Sequence, residues 1–465
     1  MVLNKQDEIV LGFIKELCAD IHARYAIDPK EFKNYNIKRG LRNSDGTGVF
    51  AGVTGIGSVQ GYQVVDGEPA PIEGKLYYRG IDMRDIIKAH WNMGTFGYEE
   101  VAYLLIFGKL PTEEQLVKYN RMLSAARKLP EGFTEDTILK APGIDIMNKL
   151  SRCILTLYTF DAAADDTSVE NVVRQSIELI GRVPVIIANC YAAKRHYFDG
   201  DSLLIHIPQE NLSMAENFLH ILRKNNQYTK DEARLLDLML ILHAEHGGGN
   251  NSAFACRVLS STGTDTYAAL AAAVGSLKGP LHGGANVKVM EMFDDIRRHV
   301  SDPEDKDAVY AYLCAILDRR ANDRSGKIYG LGHAVYTRSD PRAELLKRYV
   351  RQMARDSKVD GAFIEGFALM ETIEEQGIRA LHNRLGSQKI LCANVDMYSG
   401  LVYQTLGIPE DLYTPLFAAA RMAGWCAHRL EELVSGDRII RPAYRAVTRK
   451  EAYLPLGDRP PARGV

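Results

Sequence analysis

The sequence predicts a mainly α-helical protein with a few short strands near its N-terminus, and three observations carry that reading. Helical patterning begins near residue 82 and continues almost to the end. Residues 40–80 are dense in glycine, and Val53, Val59, Val64 and Val65 mark short strands with turns between them. Residues 5–25 form an amphipathic helix by pattern, because Ile9, Phe13, Leu17 and Ile21 recur every four residues.

Composition bounds the function. The chain has 465 residues, of which 46% are hydrophobic. That supports a large core and roughly two or three domains. Charged residues make up 25% and the net charge is −2, so neither a basic surface for nucleic acid nor an acidic tail is indicated. Cys18, Cys153, Cys190, Cys256, Cys314, Cys392 and Cys426 are scattered without a C-x-x-C pair. That spacing sets up neither a zinc site nor a disulfide framework, and it suits a reducing compartment. The first twenty residues are acidic and amphipathic, unlike a signal peptide. No uncharged apolar run approaches the ~20 residues that span a bilayer. A cytoplasmic protein without nucleic-acid or membrane partners is expected.

Local signals refine the helices. Asp302-Pro303 and Asp340-Pro341 each look like a helix start, with aspartate as N-cap and proline first. A long helix is expected from about Asp411 to Val434. Its stretch PLFAAARMAGWCA holds one charge, Arg421, so it should be buried on most sides. From Tyr453 onward, Pro, Gly and Arg suggest a loose tail. The stretch AGVTGIGSVQG misses dinucleotide-loop spacing, since Gly55-x-Gly57 is followed by Gly61, and a glycine-rich turn between strands is expected there.

Five patches could carry chemistry. In His243-Ala-Glu-His246-Gly-Gly-Gly a helical pattern ends in glycines. Spaced i, i+3, its histidines would share a helix face, so a metal pair and a capped helix end both fit. In Lys278-Gly-Pro-Leu-His282-Gly-Gly-Ala-Asn286, His282 falls at or near a helix N-terminus. The dipole there disfavours imidazolium, and a neutral imidazole can donate a hydrogen bond to a substrate carbonyl; a plain turn histidine also fits. In Gly330-Leu-Gly-His333-Ala-Val-Tyr-Thr-Arg338-Ser-Asp340-Pro-Arg342, Arg342 falls in a helical first turn. A carboxylate or phosphate could bind there, and a solvated arginine is the alternative. In Asn394-Val-Asp396-Met-Tyr-Ser-Gly400, burial would raise the Asp396 pKa toward that of a general base, whereas a helix N-terminus would lower it. Arg421, in its apolar helix, needs an anion from the protein or a ligand. Arg441, before Pro442, is weaker evidence.

Taken in order, HAEHGGGN, GPLHGGAN, GLGHAVYTRSDPR, NVDMYSG and the surroundings of Arg421 and Arg441 resemble the citrate synthase family. YYRGIDMRDI near residue 80 and YLLIFGKLPT near residue 107 resemble it too. The likeness runs from about residue 50 to 445. It implies a two-domain helical fold, with residues 1–284 and 408–465 as a large domain and 285–407 as a small one. It also implies a homodimer whose cleft closes on substrate. The implied reaction condenses acetyl-CoA with oxaloacetate and water to citrate and CoA. The CoA thioester is a substrate, with no tightly bound cofactor and no metal. By the same resemblance Asp396 takes the acetyl proton, His282 hydrogen-bonds the thioester carbonyl and His333 polarises the ketone. His246, Arg342 and Arg421 hold oxaloacetate, and Arg441 enters from the neighbouring subunit. Lys327 and Arg338 are placed near CoA phosphates by position. Two departures stand out: about 45 residues precede the matching region, and three glycines follow His246. The alternatives are 2-methylcitrate synthase acting on propionyl-CoA, a metal-dependent hydrolase built on His243, His246 and His282, and a non-catalytic helical scaffold. The buried-type Arg421 and the histidine–glycine turns argue against the scaffold.

Overall fold

The computed structural model describes the chain apart from residues 1–13, 16–17, 19–20, 22–24, 44–46, 66–67, 301, 303, 357–360, 387–390, 449 and 460–465. Most of the expected N-terminal amphipathic helix lies outside the described residues; of that segment, Ile14, Lys15, Cys18, Ile21 and Tyr25 are helical. The chain divides into two units, residues 1–50 with 441–465, and residues 51–440.

In the first unit Asp28 caps helix α1 (Pro29–Asn34) by accepting the Lys30 N–H at 2.8 Å, with Pro29 at the first helical position. Arg42 pairs with Gly48, and the Arg39 guanidinium lies 4.7 Å from the Phe32 ring centre. No residue of α1 is buried, and Tyr25, Tyr444 and Tyr453 are all exposed.

The second unit opens with an antiparallel sheet, β1 (Gly57–Val65), β2 (Glu68–Tyr78) and β3 (Ile81–Asp82), in that order. Gly57 faces Tyr78 and Val65 faces Glu68. Val59, Val64 and Val65 fall in β1, but Val53 lies in exposed coil before it. The expected glycine-rich turn is instead partly strand. Gly57 and Gly61 lie within β1, where a Cβ would come 2.9 Å from Glu245 Cγ and 2.2 Å from the Val335 carbonyl oxygen respectively. Gly57 admits the Glu245 side chain and Gly61 a neighbouring backbone, and neither turns the chain.

Helices follow. First come α2 (Met83–Met93), α3 (Tyr98–Phe107), α4 (Glu113–Ala126), α5 (Ile146–Leu157), α6 (Val169–Asp199) and α7 (Met214–Leu222). Then come α8 (Lys230–His243), α9 (Asn251–Ser260), α10 (Thr266–Lys278), α11 (Ala285–His299) and α12 (Lys306–Leu317). The last are α13 (Pro341–Arg355), α14 (Gly361–Leu385), α15 (Asp396–Thr405) and α16 (Tyr413–Ser435). Thr112, Ser213 and Thr229 close capping boxes at the starts of α4, α7 and α8. Asp340 caps α13 as expected, taking the Arg342 N–H at 3.0 Å. Asp302 does not begin a helix. Asp305 caps α12 because its Oδ1 reaches the N–H groups of both Asp307 and Ala308 at 3.0 Å. Asp302 instead takes the Glu304 N–H at 2.9 Å in the turn before it.

Helix α16 is the axis of the core. Every residue from Tyr413 to Leu430 is buried, as its apolar run requires, and it packs on α3, α6, α8, α9 and α10. Among the described residues α6 is long and apolar enough to cross a membrane, but 78% of that apolar window is buried inside the protein, against α4, α5, α7 and α16. Helices α11 to α15 pack chiefly on one another: α12 on α14, and α11, α13 and α14 on α15.

Gly424 lets α16 lie against the turn that ends α8, since a Cβ there would sit 2.4 Å from Glu245 Oε2 and 2.5 Å from the Ala244 oxygen. Gly424→Ala is therefore expected to cost about 1–3 kcal/mol in urea unfolding, as overpacking does. Gly275→Ala in α10, with nothing within 4 Å, is expected to be neutral or to gain about 0.5–1 kcal/mol. Equal effects from the two substitutions would contradict this packing.

Candidate active site

The first component is the turn after α8. His243 is the last residue of that helix and Gly247, at φ +79°, reverses the chain. His246 therefore lies beyond the helix, and the expected shared helical face with His243 does not form. The His243 ring packs 4.3 Å from Phe417, while the His246 ring meets that of His333 at 5.2 Å, edge to face. Burial, aided by the cations of Arg342 and Arg421, pushes both pKa values well below the ordinary histidine value. Both rings are thus neutral. Among the described residues neither nitrogen of His243, nor Nε2 of His246, has a hydrogen-bond partner.

Arg421 comes from the middle of α16 and is 1% exposed. Its Nε donates to the His243 carbonyl at 2.6 Å, and its guanidinium carbon lies 4.8 Å from the Phe417 ring centre. Both terminal nitrogens lack a partner among the described residues. Burial pulls its pKa down to about 10, against the pull of Glu245 and Tyr78, so it stays a cation near neutrality. Glu245 is fully buried and accepts from the Gly247 N–H and from His428 Nε2, the latter at 2.9 Å. Burial would raise its pKa, but His428 and Arg421 outweigh that and hold it below the ordinary carboxylate value. His428 is fixed in turn by Arg257, whose Nε and Nη2 reach Nδ1 at 3.2 and 3.0 Å.

The third and fourth patches are laced together. Leu331 pairs with Ala393, the Gly332 N–H donates to the Cys392 oxygen at 2.8 Å, and the Asn394 N–H donates to the Gly330 oxygen at 2.9 Å. The lacing needs Gly330 and Gly332, at φ +82° and +89°. It sets His333 and Asp396 on adjoining segments. His333 Nδ1 accepts from the Val335 and Tyr336 N–H groups at 3.0 and 3.1 Å, which puts the ring proton on Nε2. Arg342 is buried and bidentate to Asp340, Nε to Oδ1 at 3.0 Å and Nη2 to Oδ2 at 2.7 Å. Burial would lower its pKa, but the Asp340 carboxylate raises it above the ordinary value. Asp340 Oδ2 also takes the Val395 N–H at 3.3 Å, tying α13 to the start of α15.

Asp396 opens α15, its N–H capped by Asn394 Oδ1 at 3.0 Å. Here desolvation wins over the helix terminus. Burial pushes the pKa up to about 6, with Arg342 opposing and Asp340 assisting. His282 lies just before α11, in a turn held by Thr414 Oγ1 donating to the Gly283 oxygen at 3.1 Å. Burial and the Arg421 charge lower its pKa to about 4. Its Nε2 meets Ser252 Oγ at 3.1 Å; that hydroxyl donates to Asn250 Oδ1 at 2.7 Å and accepts from Trp425 Nε1 at 3.1 Å.

The structure thus gathers His246, His333, Arg342 and Arg421 by ring contact or mutual charge, with Asp396 beside Arg342 and His282 within the field of Arg421. Lys327 and Arg338 are exposed on the segment that leads into and out of His333. Arg441 is exposed in the other unit. Among the described residues no three His, Cys, Asp or Glu side chains converge as metal ligands. Sequence reasoning missed the supporting residues Glu245, Ser252, Tyr336 and His428. Only His428 left a signal, as a polar residue that directly follows the apolar run of α16.

Residues 46–443 match the family described as citrate synthase, C-terminal domain. Citrate synthase from Deinococcus radiodurans is 35% identical over 389 residues, 83% of this chain and 93% of that protein. 2-Methylcitrate synthase from Shewanella oneidensis is 31% identical over 390 residues, 83% of this chain and 92% of that one. Among solved structures, the ternary complex of Thermoplasma acidophilum citrate synthase with carboxymethyl coenzyme A and oxaloacetate superposes with a TM-score of 0.73. It is 27% identical and covers 91% of this chain and 99% of that one. Citrate synthase from Pyrobaculum aerophilum gives 0.72 at 29% identity, covering 88% and 94%. Fold and relatives define an enzyme of the acyltransferase class. The chain belongs to the citrate synthase family.

The raised Asp396 pKa has a stability consequence. Between its unfolded value of 3.8 and its folded value of about 6, the native state holds a proton that the unfolded chain releases. The buried carboxylate therefore costs stability above pH 6 and none below pH 4. Asp396→Asn is expected to raise the unfolding free energy at pH 8 by about 1–3 kcal/mol, with the gain vanishing near pH 4. A gain independent of pH, read from urea midpoints, would contradict the assignment.

Proposed function

We propose that this enzyme condenses acetyl-CoA with oxaloacetate and water to give citrate and free CoA. One observation carries the reading: the buried guanidinium of Arg421, whose two terminal nitrogens have no partner among the described residues, lies among neutral histidines and beside Arg342, a setting that suits a small dicarboxylate. The ternary complex named for the Thermoplasma enzyme supports it.

In this reading oxaloacetate lies between Arg421, Arg342 and His246. Asp396, with a pKa of about 6, is ionised near neutrality yet basic enough to take the acetyl methyl proton. His282 donates a hydrogen bond to the thioester carbonyl as the enolate forms. Its pKa of about 4 keeps it a neutral donor. To donate from its other nitrogen it needs Nε2 as an acceptor, so Ser252 turns its hydroxyl from Asn250 to His282. His333 offers Nε2–H to the ketone, which becomes the citryl hydroxyl as the carbon–carbon bond forms. Water then hydrolyses citryl-CoA. Lys327 and Arg338 are assigned to the CoA phosphates.

The reading includes a homodimer with Arg441 entering the neighbour's site. Exposed apolar side chains at Leu155, Tyr158 and Phe160 support an interface. It also includes closure of residues 285–407 as a small domain, supported by the mutual packing of α11 to α15. A cytoplasmic location is supported by seven free cysteines. A second reading, 2-methylcitrate synthesis from propionyl-CoA, is favoured by the 31% identity to enzymes of that name.

The test is thiol release from acetyl-CoA and from propionyl-CoA, each with and without oxaloacetate. Release from acetyl-CoA that requires oxaloacetate and survives EDTA is expected. Faster turnover of propionyl-CoA would favour the second reading, and loss on chelation with recovery on zinc would overturn both. Asp396→Asn should bind oxaloacetate within about threefold of wild type by calorimetry and lose at least about a hundredfold in kcat; wild-type turnover would make Asp396 structural. Mixing inactive Asp396→Asn and Arg441→Ala dimers should restore activity through one intact hybrid site. Subunit exchange without recovery would rule out sharing through Arg441.

A further inference from the structure

Tyr336 lies three residues past His333 and is 1% exposed. Its ring stacks on the His333 imidazole with centres 4.6 Å apart and planes 29° apart, and it meets the His246 ring edge to face at 5.6 Å. The Arg342 guanidinium carbon lies 5.9 Å from the ring centre. One aromatic side chain thus touches three of the residues assigned to oxaloacetate. Its hydroxyl has no partner among the described residues, and its ring makes the contacts with His333, His246 and Arg342.

The sheet receives this side chain through two glycines. A Cβ on Gly61 of β1 would lie 2.2 Å from the Val335 oxygen and 2.9 Å from Tyr336 Cα. A Cβ on Gly74 of β2 would lie 2.2 Å from the Ser339 oxygen and 2.8 Å from Tyr336 Cδ1. Hydrogen bonds fasten the same segment: Thr337 Oγ1 donates to the Gly61 oxygen at 3.2 Å, and the Gly74 N–H donates to Ser339 Oγ at 3.1 Å. Two adjacent strands thus present bare backbone to residues 335–339, the stretch that follows His333 and whose N–H groups fix its tautomer.

We infer that Tyr336, seated on the Gly61 and Gly74 backbone, is a positioning residue that aims His333 at the substrate carbonyl. It touches no reacting atom. It acts by holding one face of the imidazole at a fixed tilt, so that Nε2–H points at the ketone without waiting for substrate to order it. The small sheet of this helical protein is then a mount for the His333 loop.

The inference rests on the oxaloacetate reading, and the experiment separates the two. Wild type, Tyr336→Phe, Tyr336→Leu and Gly74→Ala are compared by thermal midpoint, by calorimetry with oxaloacetate, by the infrared stretch of the bound ketone and by kcat. In wild type the ketone band should move to lower frequency on binding. Tyr336→Phe keeps the ring and should match wild type. Tyr336→Leu should hold oxaloacetate within about threefold, because Arg421 and Arg342 remain. Its ketone band should return toward the free position and kcat should fall at least about tenfold, as misaimed catalytic groups do. Gly74→Ala displaces the ring without removing it and should give the same band shift, which preserves the test if the leucine variant does not fold. A folded Tyr336→Leu with wild-type band and kcat would overturn the inference and leave the reaction standing, as would a phenylalanine variant as poor as the leucine one. A wild type that neither binds oxaloacetate nor shifts its ketone band would overturn the reaction and the inference with it.

Discussion

A guanidinium buried without a hydrogen-bonded anion is among the more costly arrangements a folded chain can hold, and the site is organised around one. Arg421 has a carbonyl at Nε, an aromatic ring beneath it and the Glu245 carboxylate close enough to support its charge. Its outer nitrogens are left for something else. The same uncompensated charge acts on the histidines around it, helping to keep His243, His246 and His282 neutral. Arg421 therefore creates the demand for an anion and adds to burial and Arg342 in keeping the surrounding histidines neutral.

Arg342 is handled in the opposite way. Asp340 grips it through two hydrogen bonds and takes the Val395 N–H as well. Asp396, which begins at that junction, thus faces a cation already paired, and desolvation is free to raise its pKa. Had Arg342 been left bare like Arg421, its field would hold Asp396 as a weak base. The terminal nitrogens of Arg421 lack a partner among the described residues, whereas Arg342 shares its charge with Asp340 beside Asp396, so in the proposed reaction the two arginines that hold oxaloacetate differ in electrostatic setting.

Much of this was legible in the chain. Helix α16 and the arginine within its apolar run followed from the sequence, and the α13 cap followed from Asp340-Pro341, because both are local. The histidine and aspartate motifs were legible as candidates, yet their protonation was not, since that depends on burial and on charges brought from other helices. Glu245 and His428 stand 183 residues apart and meet only in the fold. Gly61 looked like a turn residue because its purpose, contact with residues 335–339, is written nowhere near it, and nothing near Gly74 marks the same role. The local misreadings have physical causes too: Asp305 outcompetes Asp302 for the helix start by reaching two N–H groups, and Val53 has no strand partner among the described residues.

The central claim is that Arg421 is kept at the expense of stability in order to hold a dicarboxylate. Replacing it by leucine, which fills the apolar part of the space without charge, tests this directly when the unfolding free energy of the ligand-free protein and its calorimetric affinity for oxaloacetate are measured together. The account predicts that Arg421→Leu is as stable as wild type or more so, because an unpaired buried cation is removed, and that its oxaloacetate affinity falls at least about a hundredfold, the loss expected when a charge-assisted pair is deleted from a buried site. A variant that is clearly less stable, yet binds oxaloacetate as wild type does, would contradict it.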